Sequence, residues 1–156
     1  MSAISPVTIR RARRDDVEII VQMLADDALG RARERVEDPL PPLYFRAFEA
    51  LEQVSNIQLV VAEGADGIVV GCLQLCILPG LSSQGASRGL IEDVRVATRC
   101  RSRGIGEQLV QWAVAEARHK GCKLVELFTH HTRLDAQRFY QRLGFQPSHV
   151  GMTLRF

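Results

Sequence analysis

The sequence predicts an α/β domain: a mixed, mostly antiparallel central sheet flanked by about four helices. Three observations predict it. Two aliphatic, β-branched runs, Ile57 to Ala62 and Ile68 to Leu78, are joined by Gly64-Ala65-Asp66-Gly67, which suits a tight antiparallel hairpin. A further strand, Gly89 to Val96, runs into a long helical pattern and then into another strand, a β-α-β crossover. The N-terminal third has helical spacing throughout.

Taken in order, Val7 to Ala12 reads as the first strand, and Asp15 and Glu18 stand in capping-box spacing. Val17, Ile20, Val21, Leu24 and Ala28 then form one apolar stripe, predicting a helix over Asp16 to Leu29. After a charged linker and the Pro39, Pro41, Pro42 cluster, Tyr44, Ala47, Phe48 and Leu51 mark a second helix ending near Val54. The hairpin follows. Pro79 to Ser87 reads as a mobile loop. In Gly89 to Val96, Leu90, Glu92, Val94 and Val96 alternate with Ile91, Asp93 and Arg95, which places the two sets on opposite faces. From Ile105 the period becomes helical, and Gly121 suits a left-handed cap. Lys123 to Thr129 is the fifth strand. Ala136, Phe139, Tyr140 and Leu143 mark a short helix closed by Gly144, and Phe145 to Phe156 can supply one or two more strands.

Size and composition narrow the class. A chain of 156 residues, 46% apolar and 24% charged, fits one ordinary globular domain over residues 1–156. Twenty basic against eighteen acidic residues, a net charge of +2, do not mark a nucleic-acid binder. The Met1 to Pro6 start lacks a secretory pattern, and no run of about 18 apolar residues spans a bilayer, so a cytoplasmic protein without a membrane partner is expected. Cys72 and Cys76 would lie roughly 13 Å apart on a strand, too far to share a zinc ion. With Cys100 and Cys122 they read as apolar thiols, and no metal site is expected from His119, His130, His131 and His149 either.

The chemistry concentrates in Arg101-Ser102-Arg103-Gly104-Ile105-Gly106, between strand four and its helix. Glycines admit a ligand close to the backbone, free amides at a helix start favour negative charge, and two arginines add charge-assisted bonds to phosphate. This is a pyrophosphate cradle on physical grounds. A P-loop would need Lys then Ser or Thr where Glu107 and Gln108 stand. A dinucleotide turn would place Glu126, 20 residues past Gly106, on a ribose, but Leu109 replaces its third glycine. The Arg99, Arg101, Arg103 run lacks the interleaved aromatics of a nucleic-acid surface.

With Arg101, Gly104 and Gly106 in this spacing, the chain resembles the GNAT superfamily of acyl-CoA-dependent N-acyltransferases, whose signature is Gln or Arg, two residues, Gly, one residue, then Gly or Ala. The resemblance extends to the strand Ile91-Glu92-Asp93-Val94-Arg95-Val96 and to Ala136, Phe139, Tyr140, Gly144 and Phe145, and so spans nearly the whole chain. Two positions depart from it: Ser102 stands where many members carry glycine, and Arg133 where many carry a cofactor-touching asparagine.

The resemblance implies acetyl transfer from acetyl-CoA, as co-substrate, to a primary amine by direct attack in a ternary complex, or else a non-catalytic acyl-CoA sensor. It implies that strands four and five splay around the pantetheine arm, which pairs with the backbones of Val94 and Val96. A backbone amide near Val94 would stabilise the negative charge that develops on the carbonyl oxygen. Cofactor contacts are expected from Val94, Arg95, Val96, the turn Arg101 to Glu107 including Ile105, Arg133 and Phe139. Tyr140 is the candidate general acid for the leaving thiolate. Glu92, on the same predicted face as Val94, is the candidate base, with His130 and His131 near the acyl end. The acceptor is expected to be a small-molecule or peptide amine, and members of the family often pair as homodimers.

Overall fold

A computed structural model describes residues 6–156. The first five residues, most of the stretch that carries no secretory pattern, lie outside them. The strands are β1 (Thr8–Arg11), β2 (Ile57–Glu63), β3 (Val69–Leu78), β4 (Arg88–Val96) and β5 (Leu124–Leu127), in the spatial order β1-β2-β3-β4-β5. The first three junctions are antiparallel and β4-β5 is parallel, as a hairpin chain followed by a crossover requires. Four helices have eight residues or more: α1 (Val17–Leu24), α3 (Pro42–Glu52), α5 (Ile105–His119) and α6 (Leu134–Arg142). Two four-residue helices, α2 (Ala28–Arg31) and α4 (Ser82–Gly85), lie between them. Among the described residues no helix is long and apolar enough to cross a membrane.

Strand alternation sorts the core into two faces. Leu73 and Leu75 point to α5, where Leu109, Ala113 and Ala117 are fully buried, whereas Val61 and Cys72 meet Ile20 and Met23 of α1. Gly89 is needed for the first contact, since a Cβ there would stand 3.0 Å from the Ala117 Cβ. The hairpin turn closes as expected, with Gly67 in the left-handed region, and Gly121 ends α5 in the same conformation at φ 79°. Cys72 and Cys76 are buried and unpaired, and burial pushes the Cys72 thiol up to about 12.

Several expectations are corrected. The capping box forms not between Asp15 and Glu18 but two residues earlier, where Asp16 accepts the Arg13 amide at 2.7 Å. The predicted single helix over 16–29 breaks after Leu24, because the Asp27 carboxylate captures the Gly30 amide at 2.6 Å and starts α2. Pro79 to Ser87 is not all loop: α4 is one tight turn in which Ser83 and Gln84 have positive φ. The fifth strand stops at Leu127. Phe145 to Phe156 forms no strand, since Val150, Met152, Leu154 and Phe156 alternate but find no ladder partner among the described residues and stay exposed. Alternation is not sufficient; a strand needs a neighbour.

Asp16 anchors the start of α1. Arg10 donates to both of its oxygens, at 2.7 and 3.1 Å, and also to Glu63. Burial alone would raise the Asp16 carboxyl, but the bonds from Arg10 and the Arg13 amide, with the guanidinium charge, bring it below its usual range. A carboxyl lowered in the folded state contributes stability that is complete above about pH 4 and is lost as pH falls through its folded value. Asp16→Asn is expected to cost about 1–2 kcal/mol, because it weakens the bonds from Arg10 and the Arg13 amide while Glu63 still pairs with Arg10. Urea unfolding at pH 7 and pH 3 checks this, with the variant deficit smaller at pH 3.

Candidate active site

After β4 the chain makes a short 3-10 turn, Thr98–Cys100, and enters α5 through Ser102 at φ 60° and Gly104 at φ 75°. Ile105 is 3% exposed and anchors the helix in the core, so it offers the turn only its backbone. A Cβ on Gly106 would meet Phe139 Cζ at 3.4 Å and Val96 Cγ2 at 3.6 Å, ordinary contacts that admit glycine or alanine and little more. The first amides of α5 lack intrahelical partners and, with the helix dipole, favour an anion. The left-handed φ at Ser102 is one that glycine adopts without strain. Ser102→Gly is expected to raise stability by about 0.5–1 kcal/mol by removing that strain, a gain measurable by thermal unfolding.

Two of the cationic candidates are already engaged. Arg101 donates to Asp26 at 3.3 Å and to the Val96 carbonyl at 3.2 Å, while Thr98 donates to the same Asp26 carboxylate. Arg133, just before α6, donates to Asp27 at 2.5 Å. The connection between α1 and α2 is therefore clasped to the turn on one side and to α6 on the other. Arg103 is exposed and has no hydrogen-bond or ion-pair partner among the described residues. Glu107, also exposed, accepts from Gln111 at 3.0 Å.

Beside this turn the sheet opens. β4 pairs with β5 only from Arg88↔Leu124 to Ile91↔Leu127, so Glu92 to Val96 have no strand partner on that side. Opposite them the β3 register skips between Cys72 and Gln74, and Asp93 takes φ 51°: a bulge. The bulge corrects the predicted faces. Ile91, Val94 and Val96 all pack toward the α5 core, whereas Glu92 pairs across from Gln74 and meets Cys76. Glu92 and Val94 therefore do not share a face.

The opening leads into a cavity of about 470 Å³, bounded by β4, the segment after β5, α6, and α2 with the two residues after it. Tyr140 lines it, edge-on to Phe139 at 5.1 Å and Phe145 at 5.9 Å. Burial raises its phenol above the usual range against the opposing charges of Arg95 and Arg133, and its hydroxyl has no protein hydrogen bond among the described residues. Glu92 reaches the same cavity and accepts from Gln74 at 3.0 Å and from the Cys76 thiol at 3.5 Å. A smaller apolar cavity of about 120 Å³ between α1 and α3 meets the first at Asp93.

Of the predicted residues, the structure brings Glu92, Val94, Arg95, Arg133 and Tyr140 to one cavity, with His130 at its wall. Val96 ends β4, Arg101 to Glu107 form the adjoining turn and the start of α5, Phe139 lies behind Gly106, and His131 lies outside the cavity lining. Asp26, Asp27, Asp93, Arg33 and Arg155 were not predicted. Asp27 had a signal, an acidic residue three before Gly30 inside an apolar stripe. So did Asp93, since two consecutive acids interrupt the alternation of a strand. Arg155, in a segment predicted as strand, had none. Among the described residues no group of three or more His, Cys, Asp or Glu is placed to hold a metal.

Comparison with known proteins agrees with this architecture. The model of the acetyltransferase (GNAT) family matches residues 21–145. A solved structure from Bacillus halodurans C-125, described as a transcriptional regulator, is 48% identical and covers 97% of this chain and all of its own, with a TM-score of 0.93. Glucosamine 6-phosphate N-acetyltransferase 1 of Oryza sativa subsp. japonica is 30% identical over 76% of this chain and 73% of its own length. Aminoalkylphosphonate N-acetyltransferase of Salmonella typhimurium is 45% identical over a 65-residue stretch, 42% of each chain. The family match covers most of the chain, including the turn, the open edge of β4 and α6, and the chain belongs to the GNAT acetyltransferase family.

Proposed function

We propose that the protein is an acetyl-CoA-dependent N-acetyltransferase that modifies a small primary amine by direct attack in a ternary complex. The observation that carries this reading is the unpaired edge of β4 from Glu92 to Val96, which runs from the glycine turn into the cavity holding Tyr140 and Glu92. The relatives' named acceptors, glucosamine 6-phosphate and an aminoalkylphosphonate, are small amines and support the acceptor class.

Acetyl-CoA supplies the thioester. The amides at the start of α5 and Arg103 hold its diphosphate, and Arg101 and Arg133 join them by exchanging Asp26 and Asp27 for phosphate oxygens. The open backbone at Val94 and Val96 pairs with the pantetheine arm, beside Arg95, and Phe139 supports the turn from behind. Glu92, its carboxylate held by Gln74 and Cys76, takes the ammonium proton directly or through water. The amine nitrogen then bonds to the acetyl carbon as the carbon–sulfur bond breaks; Tyr140 gives its hydroxyl proton to the departing thiolate, and the second nitrogen proton returns to the phenolate directly or through water. The buried Cys76 thiol is raised by burial and serves as a donor to Glu92 rather than as a nucleophile. Four unpaired cysteines suit a reducing compartment, and we place the reaction in the cytoplasm.

A second reading, a non-catalytic acyl-CoA sensor, draws on the description of the Bacillus halodurans structure as a transcriptional regulator. Thiol release by the purified protein across an amine panel separates the two. Turnover supports the enzyme; acetyl-CoA binding without release for any amine supports the sensor.

A further inference from the structure

The cavity beside β4 separates charges of opposite sign. Glu92 and Asp93 stand at the bulge, where an ammonium would be received. Four arginines line the rest: Arg33 beyond α2, Arg95 on β4, Arg133 before α6 and Arg155 on the C-terminal tail. Their states differ. Arg133 is neutralised by Asp27 at 2.5 Å, and Arg33 stands 3.9 Å from Glu34, at the limit of an ion pair. Neither Arg95 nor Arg155 makes an ion pair among the described residues, although the Asp27 charge also acts on Arg95 and Arg33. Among the described residues Arg95 donates only to the adjacent Val94 carbonyl, and its Nε is buried without an acceptor. Arg95 and Arg155 both line the cavity, where their charges favour an anion. The tail is brought there by a close crossing over the end of β5, where a Cβ on Gly151 would stand 3.1 Å from Phe128 Cδ1.

We propose that Arg95 and Arg155, with Arg33, form an anion subsite for the acceptor, so that the substrate is a short amine bearing a phosphonate, phosphate or carboxylate at its other end. The inference rests on the N-acetyltransferase reading above and deepens it. The diphosphate cradle draws on the amides of α5, Arg103, Arg101 and Arg133; Arg133 borders both places, whereas Arg33 and Arg155 belong to the acceptor end alone. Guanidinium forks match the oxygens of phosphonate and carboxylate, while Glu92 and Asp93 receive the ammonium, so a zwitterion is held at both ends. The same arginines repel a polyamine, whose second ammonium would occupy the cationic wall.

The test is thiol release from acetyl-CoA with three amines of similar length: 2-aminoethylphosphonate, β-alanine and propylamine. The expected order of kcat/KM is phosphonate, then carboxylate, then alkylamine, with at least about a tenfold gap between the ends, the size of one charge-assisted contact. The order of the first two identifies which anion the subsite prefers. Arg155→Gln, a change on an exposed tail, is expected to shrink the phosphonate-to-propylamine ratio about tenfold, mainly through KM for the phosphonate. Propylamine used as well as the phosphonate, release with none of the three, or a ratio unchanged in Arg155→Gln would each overturn the inference. Acetyl-CoA binding is measured calorimetrically on the same preparation. Its absence would overturn the N-acetyltransferase reading, a failure distinct from that of the subsite.

Discussion

Replacing Gly104 with aspartate is expected to weaken acetyl-CoA binding by more than about 100-fold. Gly104 sits at φ 75° immediately before α5, where the first helical amides have no partners of their own. Aspartate tolerates the left-handed conformation better than most residues, so the backbone is strained by only about 1 kcal/mol and the fold persists. Its carboxylate, however, occupies the positive end of the helix, caps the amides that a diphosphate would use and repels the phosphates. Loss of two such charge-assisted bonds at about 1.5–3 kcal/mol each accounts for the effect. Calorimetric titration with acetyl-CoA measures it, and far-ultraviolet circular dichroism verifies that the variant is folded. Near-normal affinity would mean that the cradle lies elsewhere.

Tyr140→Phe is expected to lower kcat by about 100-fold to 1000-fold, the usual size of a general-acid contribution, with acetyl-CoA affinity preserved. The substitution keeps the ring that packs against Phe139 and Phe145 and removes only a hydroxyl without a protein partner among the described residues. Because burial raises the phenol, it stays protonated, and so able to donate, through the whole neutral range. Tyr140→Phe should therefore leave the acidic limb of the rate profile where it is. Steady-state kinetics from pH 6 to pH 9 test both points. An unchanged kcat in the variant would remove Tyr140 from the mechanism.

Much of the fold was legible because its signals are local. The hairpin followed from a glycine turn between two β-branched runs, and α5 from a change of period with a glycine at its end. The turn before α5 was equally readable, since arginines, glycines and a helix start lie within six consecutive residues. The failures arose where a distant partner decides the outcome. Asp26 and Asp27 look like ordinary polar positions within an amphipathic helix until Arg101 and Arg133, more than 70 residues away, fold against them. The bulge at Asp93 depends on the β3 register and reversed the face assigned to Glu92. The C-terminal tail kept its strand-like alternation but had no edge to join among the described residues, and Arg155 reached the cavity without any local sign.

The central claim is that a diphosphate docks at the amino end of α5 and that the rest of the coenzyme follows the unpaired edge of β4. A crystal structure of the protein soaked with coenzyme A tests it most directly. The account predicts phosphate oxygens on the amides beginning at Gly104 and Gly106, and the pantetheine arm alongside Val94 and Val96. Coenzyme bound at another surface, with the α5 terminus empty, would contradict it.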